Sequence, residues 1–365
     1  MEIGIIGLAK SGKTTVFNAL TRGSAQVSAA AQGNKANIGV AKVPDARLER
    51  LAEIYKPKKK TPAEVTYVDI PGAPEGLGKE AGIGGEFLNR LQRVDALLHV
   101  VRAFDDPAVP HVQVTVDPYR DIGTLDMELA FSDLAILEKR MKRLNEQSKS
   151  NKPQEREAAA KEKVVIERVK AELEKGVPVR AQTLTADEAR VMENYQFLTA
   201  KPLLVALNID EGKLGESGKL EQELAAKLTM PRTKGVVICG KLESELGQMS
   251  PEEERTFRES MGAGESGLVR MIRLSFEVLG LIAFFTVGED ECRAWTIQRG
   301  TVAQKAAGKI HTDIERGFIR AEVVAYDDFI KTGSMAEAKK RGVFRLEGKT
   351  YEVKDGDITN YLFSV

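Results

Sequence analysis

Cysteine is nearly absent: the 365-residue chain holds two, Cys239 and Cys292. They form neither a disulfide framework nor a spaced metal site, and their scarcity fits a reducing compartment. Net charge is also absent, with Lys+Arg and Asp+Glu both totalling 54. That excludes a global basic field able to bind nucleic acid unaided, though not local patches. No run approaches the roughly 20 apolar residues of a membrane-spanning helix. The opening MEIGIIGLAKSGK does not read as a secretory leader, because its apolar stretch is short and Glu2 stands where positive charge is expected. These absences set the expectation of a cytoplasmic protein with no membrane partner. The length implies two or three domains, and 42% hydrophobic with 30% charged residues suits a folded chain.

What is present is an α/β pattern. EIGIIG (2–7), EVTYVDI (64–70), DALLHVV (95–101), KPLLVALN (201–208) and KGVVIC (234–239) are short, almost continuously apolar runs. Such runs suit parallel strands covered on both faces. KTTVFNALT, GEFLNRLQR and the stretch 266–280 have helical patterning. Between the third and fourth strands, Leu125, Leu129, Leu134, Leu137, Met141 and Leu144 keep mostly three-or-four spacing. A second charged helix follows, with Pro153 at its start and Gly176 at its stop. Together they predict an inserted antiparallel hairpin, read either as a solvated arm or as a docking arm for a large partner. After Gly280, short strand-like runs such as IAFFTVG, CRAWTIQ, FIRAEVVAY, GVFRLEG, TYEVKDG and NYLFSV surround one helix candidate, TVAQKAAGKIH. This predicts a small β-grasp-like domain. The expected boundaries are 1–120 with 198–280, 121–197, and 281–365.

GLAKSGKT, Gly7 to Thr14, matches G-x-x-x-x-G-K-[ST] between a predicted strand and a predicted helix. In that setting backbone N–H groups and the helix N-terminus face a phosphate. Lys13 reaches the β/γ-phosphates as a point charge, and the Thr14 hydroxyl is suited to Mg²⁺. VTYVDIPG supplies Asp69 for the metal and Gly72 as a γ-phosphate sensor at D-x-x-G spacing, with glycines at 76, 78, 82, 84 and 85 marking a candidate switch. Ala73 stands where many GTPases have the water-orienting Gln, which predicts slow basal turnover. Lys10 is read either as a stand-in for a phosphate-side K⁺ or as a solvent-facing lysine.

These stretches, with NIGVAKVPDARLERLAEIYKPKKKTPAEVTYVDIPG, DALLHVVRAFDD, VDPYRDIGTLDMELAFSDLAILEKR and RAWTIQRGTVAQKAAGKIHTDIERGFIRAEVVAYDDF, make the chain resemble the YchF/Obg-like ATPase family of P-loop proteins along nearly its whole length. The resemblance implies a P-loop NTPase G domain, an inserted helical coiled-coil hairpin and a C-terminal β-grasp (TGS) domain. It implies binding of ATP as well as, or better than, GTP in a switch cycle tied to the ribosome, and two function classes stay open: slow hydrolysis of ATP, or of GTP, that drives the cycle, and nucleotide-gated binding with negligible hydrolysis. The expected contact is with ribosomal RNA or protein, through the hairpin and the TGS domain. The chain departs from the family at Ala73, usually Leu, at Gly33, usually a Mg²⁺-ligating Thr, and at the loop Cys239 to Lys241.

The base loop, ALNIDEGK, lacks the Asn-Lys-x-Asp of guanine readers. An Asp there accepts from guanine N1–H and the N2 amino group together. Glu211 is one methylene longer, whereas Asn208 to Glu211 matches the family's Asn-x-x-Glu, with Ile209 on the adenine side. The readings left open are ATP preference with adenine read by backbone groups near Asn208 and Ile209, a GTP or dual site in which Asp210 shifts into the Asp role, and a loop that reads no base. The expected nucleotide set is Lys10, Ser11, Gly12, Lys13, Thr14, Thr15, Asn208, Ile209 and Glu211. The expected catalytic set is Lys13, Thr14, Asp69 and Gly72, with Mg²⁺ on Thr14 and Asp69. KPKKK (56–60) is read as an RNA-phosphate patch or a solvated loop, His311 with Asp313 as structural, and Trp295 as core.

Overall fold

The computed structural model describes residues 1–23, 37–70, 85–261 and 264–364. Gly33, Gly72, Ala73 and the glycines at 76, 78, 82 and 84 lie outside the described residues.

In chain order the elements are β1 (Glu2–Ile6), α1 (Lys13–Thr21), β2 (Asn37–Lys42), α2 (Ala46–Tyr55), β3 (Lys59–Thr61), β4 (Glu64–Asp69), α3 (Gly85–Arg93) and β5 (Ala96–Arg102). The long helices α4 (Pro118–Gln147) and α5 (Pro153–Glu174) follow, then α6 (Ala186–Glu193), β6 (Leu203–Asn208), α7 (Ser217–Lys227), β7 (Thr233–Ile238), α8 (Gly240–Leu246), α9 (Pro251–Ser260) and α10 (Gly267–Val278). The remainder is β8 (Leu281–Thr286), β9 (Glu291–Gln298), α11 (Ala303–Ile310), α12 (Thr312–Arg316), β10 (Phe318–Ala325), α13 (Tyr326–Thr332), α14 (Met335–Lys340), β11 (Arg345–Glu347) and β12 (Asp357–Phe363). Two short 3-10 turns, Val179–Ala181 and Glu211–Glu216, complete it.

The chain divides into two units, Met1–Gly39 with Thr66–Met271, and Val40–Val65 with Ile272–Val365. The first is built on a sheet ordered β2-β4-β1-β5-β6-β7. From β4 to β7 its ladders are parallel. Every residue of β5 and β6 is buried, as continuous apolar strands covered on both faces require. Ile6, Val68, Val101, Val205 and Val237 from five strands meet Leu91, Leu129, Leu224 and Leu242 from the surrounding helices. Strand order reverses around β1, so the C-terminal edge there is the expected crevice of an open α/β sheet.

The hairpin forms where the spacing predicts it. Pro118 and Pro153 open α4 and α5, and Gly176 takes a left-handed φ of 83° just past the end of α5. Leu137 and Leu144 pack with Ile166, Val169 and Leu173. Arg140 grips Glu162 with two bonds of 2.7 and 2.8 Å. At the hairpin root, Asp133 accepts from Leu198 N–H (2.9 Å), Thr199 N–H (2.8 Å) and Thr199 Oγ1 (2.7 Å). Burial nevertheless pushes its carboxyl up to about 6.

The second unit's sheet is ordered β11-β10-β12-β8-β9-β3. Its core joins Ile282, Phe284, Ile297, Phe318 and Val323 to the alanine face of α11, Ala303, Ala306 and Ala307. Trp295 packs against this core and donates from Nε1 to Thr286 Oγ1 at 2.9 Å. The structure differs from the sequence expectation in three respects. TYEVKDG forms no strand, only the bridge Val302↔Glu352. The one expected helix is joined by α12, α13 and α14, too short for a clear helical period. Residues 40–65, placed by the sequence in the G domain, group with the C-terminal strands because β3 pairs in parallel with β9 from Lys59↔Glu291 to Thr61↔Arg293. Arg47 adds an ion pair to Asp355 (2.8 Å) and lies over the Phe285 ring. The KPKKK lysines are drawn into the same unit: Lys58 pairs with Asp290, Lys59 with Glu291 and Lys60 with Glu49.

Candidate functional site

The loop after β1 takes the conformation its glycines allow. Gly12 has φ 93°, and a Cβ on it would collide with the Asn208 amide. Gly7 has φ 151°, and a Cβ there would strike the Val100 carbonyl. Lys10 also adopts a positive φ of 63°, where a non-glycine residue is uncommon. Its exposed ammonium reaches the Pro110 carbonyl at 3.5 Å, bringing the loop after β5 beside the loop after β1. Ser11 is buried, and its Oγ has no partner among the described residues. Thr15 sits half-buried in the first turn of α1.

Lys13 Nζ donates to the carbonyls of Gly7 and Leu8, each at 2.9 Å. Burial pulls its ammonium down to about 8, with the Asp69 carboxylate opposing. Thr14 donates from Oγ1 to Asp69 Oδ2 at 3.0 Å. Asp69 is buried at the end of β4, so two hard oxygen donors meet where α1 begins. Gly72 lies outside the described residues.

Asn208 ends β6 and is buried. Its Nδ2 donates to the Ser11 carbonyl (3.0 Å), and its Oδ1 accepts from Gly240 N–H (2.9 Å). One side chain thus fastens the loops after β1, β6 and β7 together. The adjacent backbone is already used: Ala103 N–H donates to the Asn208 carbonyl and Ile209 N–H to the Ile238 carbonyl, both at 2.8 Å. The Ile209 side chain is buried in the core. The ladder thus engages the Asn208 carbonyl and the Ile209 N–H, which leaves a base to other backbone groups near them. Glu211 opens the 3-10 turn on the exposed rim and pairs with Lys241 of the loop after β7 at 3.3 Å. Asp210 pairs with Lys213 at 3.6 Å, and Lys213 also donates to the Ala103 carbonyl at 2.9 Å.

Three polar groups escaped the sequence reading. His99, inside β5, is buried with both ring nitrogens unpartnered among the described residues. Burial, aided by the charge of Lys13, pulls it down to about 3, so the ring is neutral. Arg102 lies opposite Asn208 in the β5–β6 register, stacks over Phe104 and donates from Nε to the Phe104 carbonyl at 3.1 Å. His111 accepts at Nδ1 from Gln113 N–H (3.0 Å), which leaves Nε2 to donate to Asp121 (2.8 Å). Polar residues interrupting the apolar run DALLHVVR were the available signal for His99 and Arg102. Nothing local marked His111. The histidine candidate of the sequence, His311 in the second unit, is exposed and makes a local contact, its Nδ1 accepting from Asp313 N–H at 3.1 Å.

Two family models match parts of the chain. A model described as "50S ribosome-binding GTPase" matches residues 2–129, and the model labelled YchF-GTPase_C matches residues 281–364. The "Ribosome-binding ATPase YchF" of Bacillus subtilis (strain 168) is 39% identical over 368 residues, covering 100% of both chains. That of Haemophilus influenzae is 39% identical over 370 residues, covering 100% of this chain and 99% of the relative. The solved Schizosaccharomyces pombe "YchF GTPase" is 32% identical, covers 99% of this chain and 97% of its own, and superposes with a TM-score of 0.85. With full-length relatives at this identity and a solved structure overlaying almost every residue, the chain belongs to the YchF family.

Proposed function

We propose that this chain binds a purine nucleoside triphosphate at the C-terminal edge of its first sheet, hydrolyses ATP slowly in preference to GTP, and uses the cycle on the ribosome in the cytoplasm. The ribosome and ATP parts rest on the printed names of the bacterial relatives. The observation that carries the nucleotide site is Asn208, which ties the phosphate loop at Ser11 to the loops that would flank a base. The functional division is a G domain (1–120 and 198–280), a hairpin (121–197) and a C-terminal domain (281–365), with 40–65 attached to the last by its contacts.

Thr14 and Asp69 suit Mg²⁺, because their oxygens already lie within hydrogen-bond distance of one another with Asp69 buried. Held by these two oxygens, Mg²⁺ would supply positive charge beside a transferred phosphoryl group. Lys13, held on its own loop carbonyls, has its ammonium in place for phosphate oxygens. Preference against GTP follows from the lost guanine reader: Glu211 is engaged by Lys241, and Asp210 by Lys213. Competition titration with Mg²⁺–ATP and Mg²⁺–GTP tests the order, and a much lower dissociation constant for GTP refutes it. Phosphate release with and without ribosomes measures turnover, and Lys13→Ala abolishes it if the site is the one described.

A further inference from the structure

The phosphate loop carries two lysines, and the structure treats them differently. Lys13 is held on the Gly7 and Leu8 carbonyls, each at 2.9 Å. Lys10 is exposed, and its one hydrogen bond among the described residues is the 3.5 Å reach to the neutral Pro110 carbonyl. That length is at the outer limit for such a bond. The backbone at Lys10 is less ordinary still. Six residues other than glycine take a positive φ among the described residues. Two of them, Arg22 and Lys56, close α1 and α2, where a left-handed residue has a capping role. Lys10, at φ 63°, closes no helix and stands between Gly7 and Gly12 in the turn that leads into α1. Glycine would take that backbone without strain. A lysine needs no such backbone to face solvent, so the strain marks a position held for function.

We propose that Lys10 is a catalytic residue, a second positive charge that the loop supplies to the phosphate oxygens on which charge grows as the β–γ bond breaks. The inference rests on the nucleotide reading above and adds a rate-determining residue to that site. In hydrolysis the water oxygen forms a bond to the γ-phosphorus. The bond from that phosphorus to the bridging oxygen breaks, and its electron pair stays on the leaving diphosphate. The water's protons go to the released phosphate and to solvent. Negative charge grows on the bridging oxygen as this happens, and an ammonium beside it lowers the barrier. Lys10 acts by charge alone and gives up no proton. Its four-carbon stem is flexible, and a phosphate oxygen is a stronger acceptor than the Pro110 carbonyl, because both partners then carry charge. The ammonium therefore leaves Pro110 when the site fills. Ala73 offers no side-chain hydrogen bond to a water, so charge has to carry more of the acceleration.

The test is single-turnover hydrolysis of Mg²⁺–ATP by the full chain in excess, beside equilibrium titration with a non-hydrolysable ATP analogue. Lys10→Gly removes the charge and suits the left-handed backbone, so the loop keeps its shape. It should slow hydrolysis by about tenfold to hundredfold, while the dissociation constant changes by less than about threefold. Lys10→Arg, which keeps the charge, should recover most of the rate. Replacing Na⁺ by K⁺ should leave the rate of the unsubstituted chain unchanged, because the ammonium already supplies the charge a monovalent cation would bring. An unchanged rate in Lys10→Gly, a loss confined to affinity, no recovery in Lys10→Arg, or strong stimulation by K⁺ overturns this inference and leaves the nucleotide reading intact. Failure of the unsubstituted chain to bind the analogue, or to show hydrolysis that Lys13→Ala abolishes, overturns both.

Discussion

Replacing Asn208 by alanine removes one amide and two hydrogen bonds that join three loops. Gly240 N–H loses its acceptor at 2.9 Å and the Ser11 carbonyl loses its donor at 3.0 Å. Asn208 is only 4% exposed, and Ser11 2%, so water does not readily replace the lost partner. Each orphaned buried group costs about 1–2 kcal/mol, which gives about 2–4 kcal/mol for the pair. For a unit of this size that corresponds to a fall in Tm of roughly 5–15 °C. Asn208→Asp separates the two bonds. Its carboxylate still accepts from Gly240 N–H but faces the Ser11 carbonyl as a second acceptor, so it should lose at least as much. Urea unfolding and calorimetry without nucleotide give the stability terms, and titration with Mg²⁺–ATP gives the binding loss. A stability loss below about 0.5 kcal/mol for Asn208→Ala, with ATP affinity retained, would refute the view that this side chain fastens the site.

Other consequences are equally measurable. Lys241→Ala frees Glu211, so competition titration should show the GTP-to-ATP dissociation-constant ratio falling by roughly two- to fivefold, the scale of one exposed ion pair. Glu211→Gln should cancel that change. His99 is depressed by burial from its ordinary value to about 3, so the unfolded chain binds the extra proton between those values. The ring therefore adds no proton-linked penalty above about pH 6.5, and it destabilises the fold progressively as the pH falls from there toward 3. His99→Leu should therefore flatten acid unfolding in that window, as followed by circular dichroism, and should gain about 1 kcal/mol at neutral pH by removing two unpartnered nitrogens. Asp133→Ala leaves the two N–H groups and the hydroxyl at the hairpin root without their acceptor, a loss of about 3 kcal/mol or more in urea unfolding.

The features legible in the sequence are those whose cause is local. GLAKSGKT is one contiguous loop, and its glycines, lysine and threonine are brought together by the chain itself. The buried strands announced themselves because both faces are covered, and the hairpin because Pro153 and Gly176 bound its second helix. Less was legible wherever elements are short: α12, α13, α14 and β3 carry too few residues for a period to emerge. What ALNIDEGK does with its groups could not be read at all from its letters. The sequence supplied Asn208 and Glu211 as candidates, but Asn208 meets Ser11 across 197 positions of chain. Glu211 finds Lys241 only when β6 and β7 lie side by side. The same ladder engages the Asn208 carbonyl and the Ile209 N–H. By itself, the sequence determined that a phosphate loop exists and where its lysine and threonine stand, since neighbouring residues cannot be far apart. Tertiary structure alone decided which polar groups remain free to touch a ligand, because hydrogen-bond partners are chosen by packing and not by proximity along the chain.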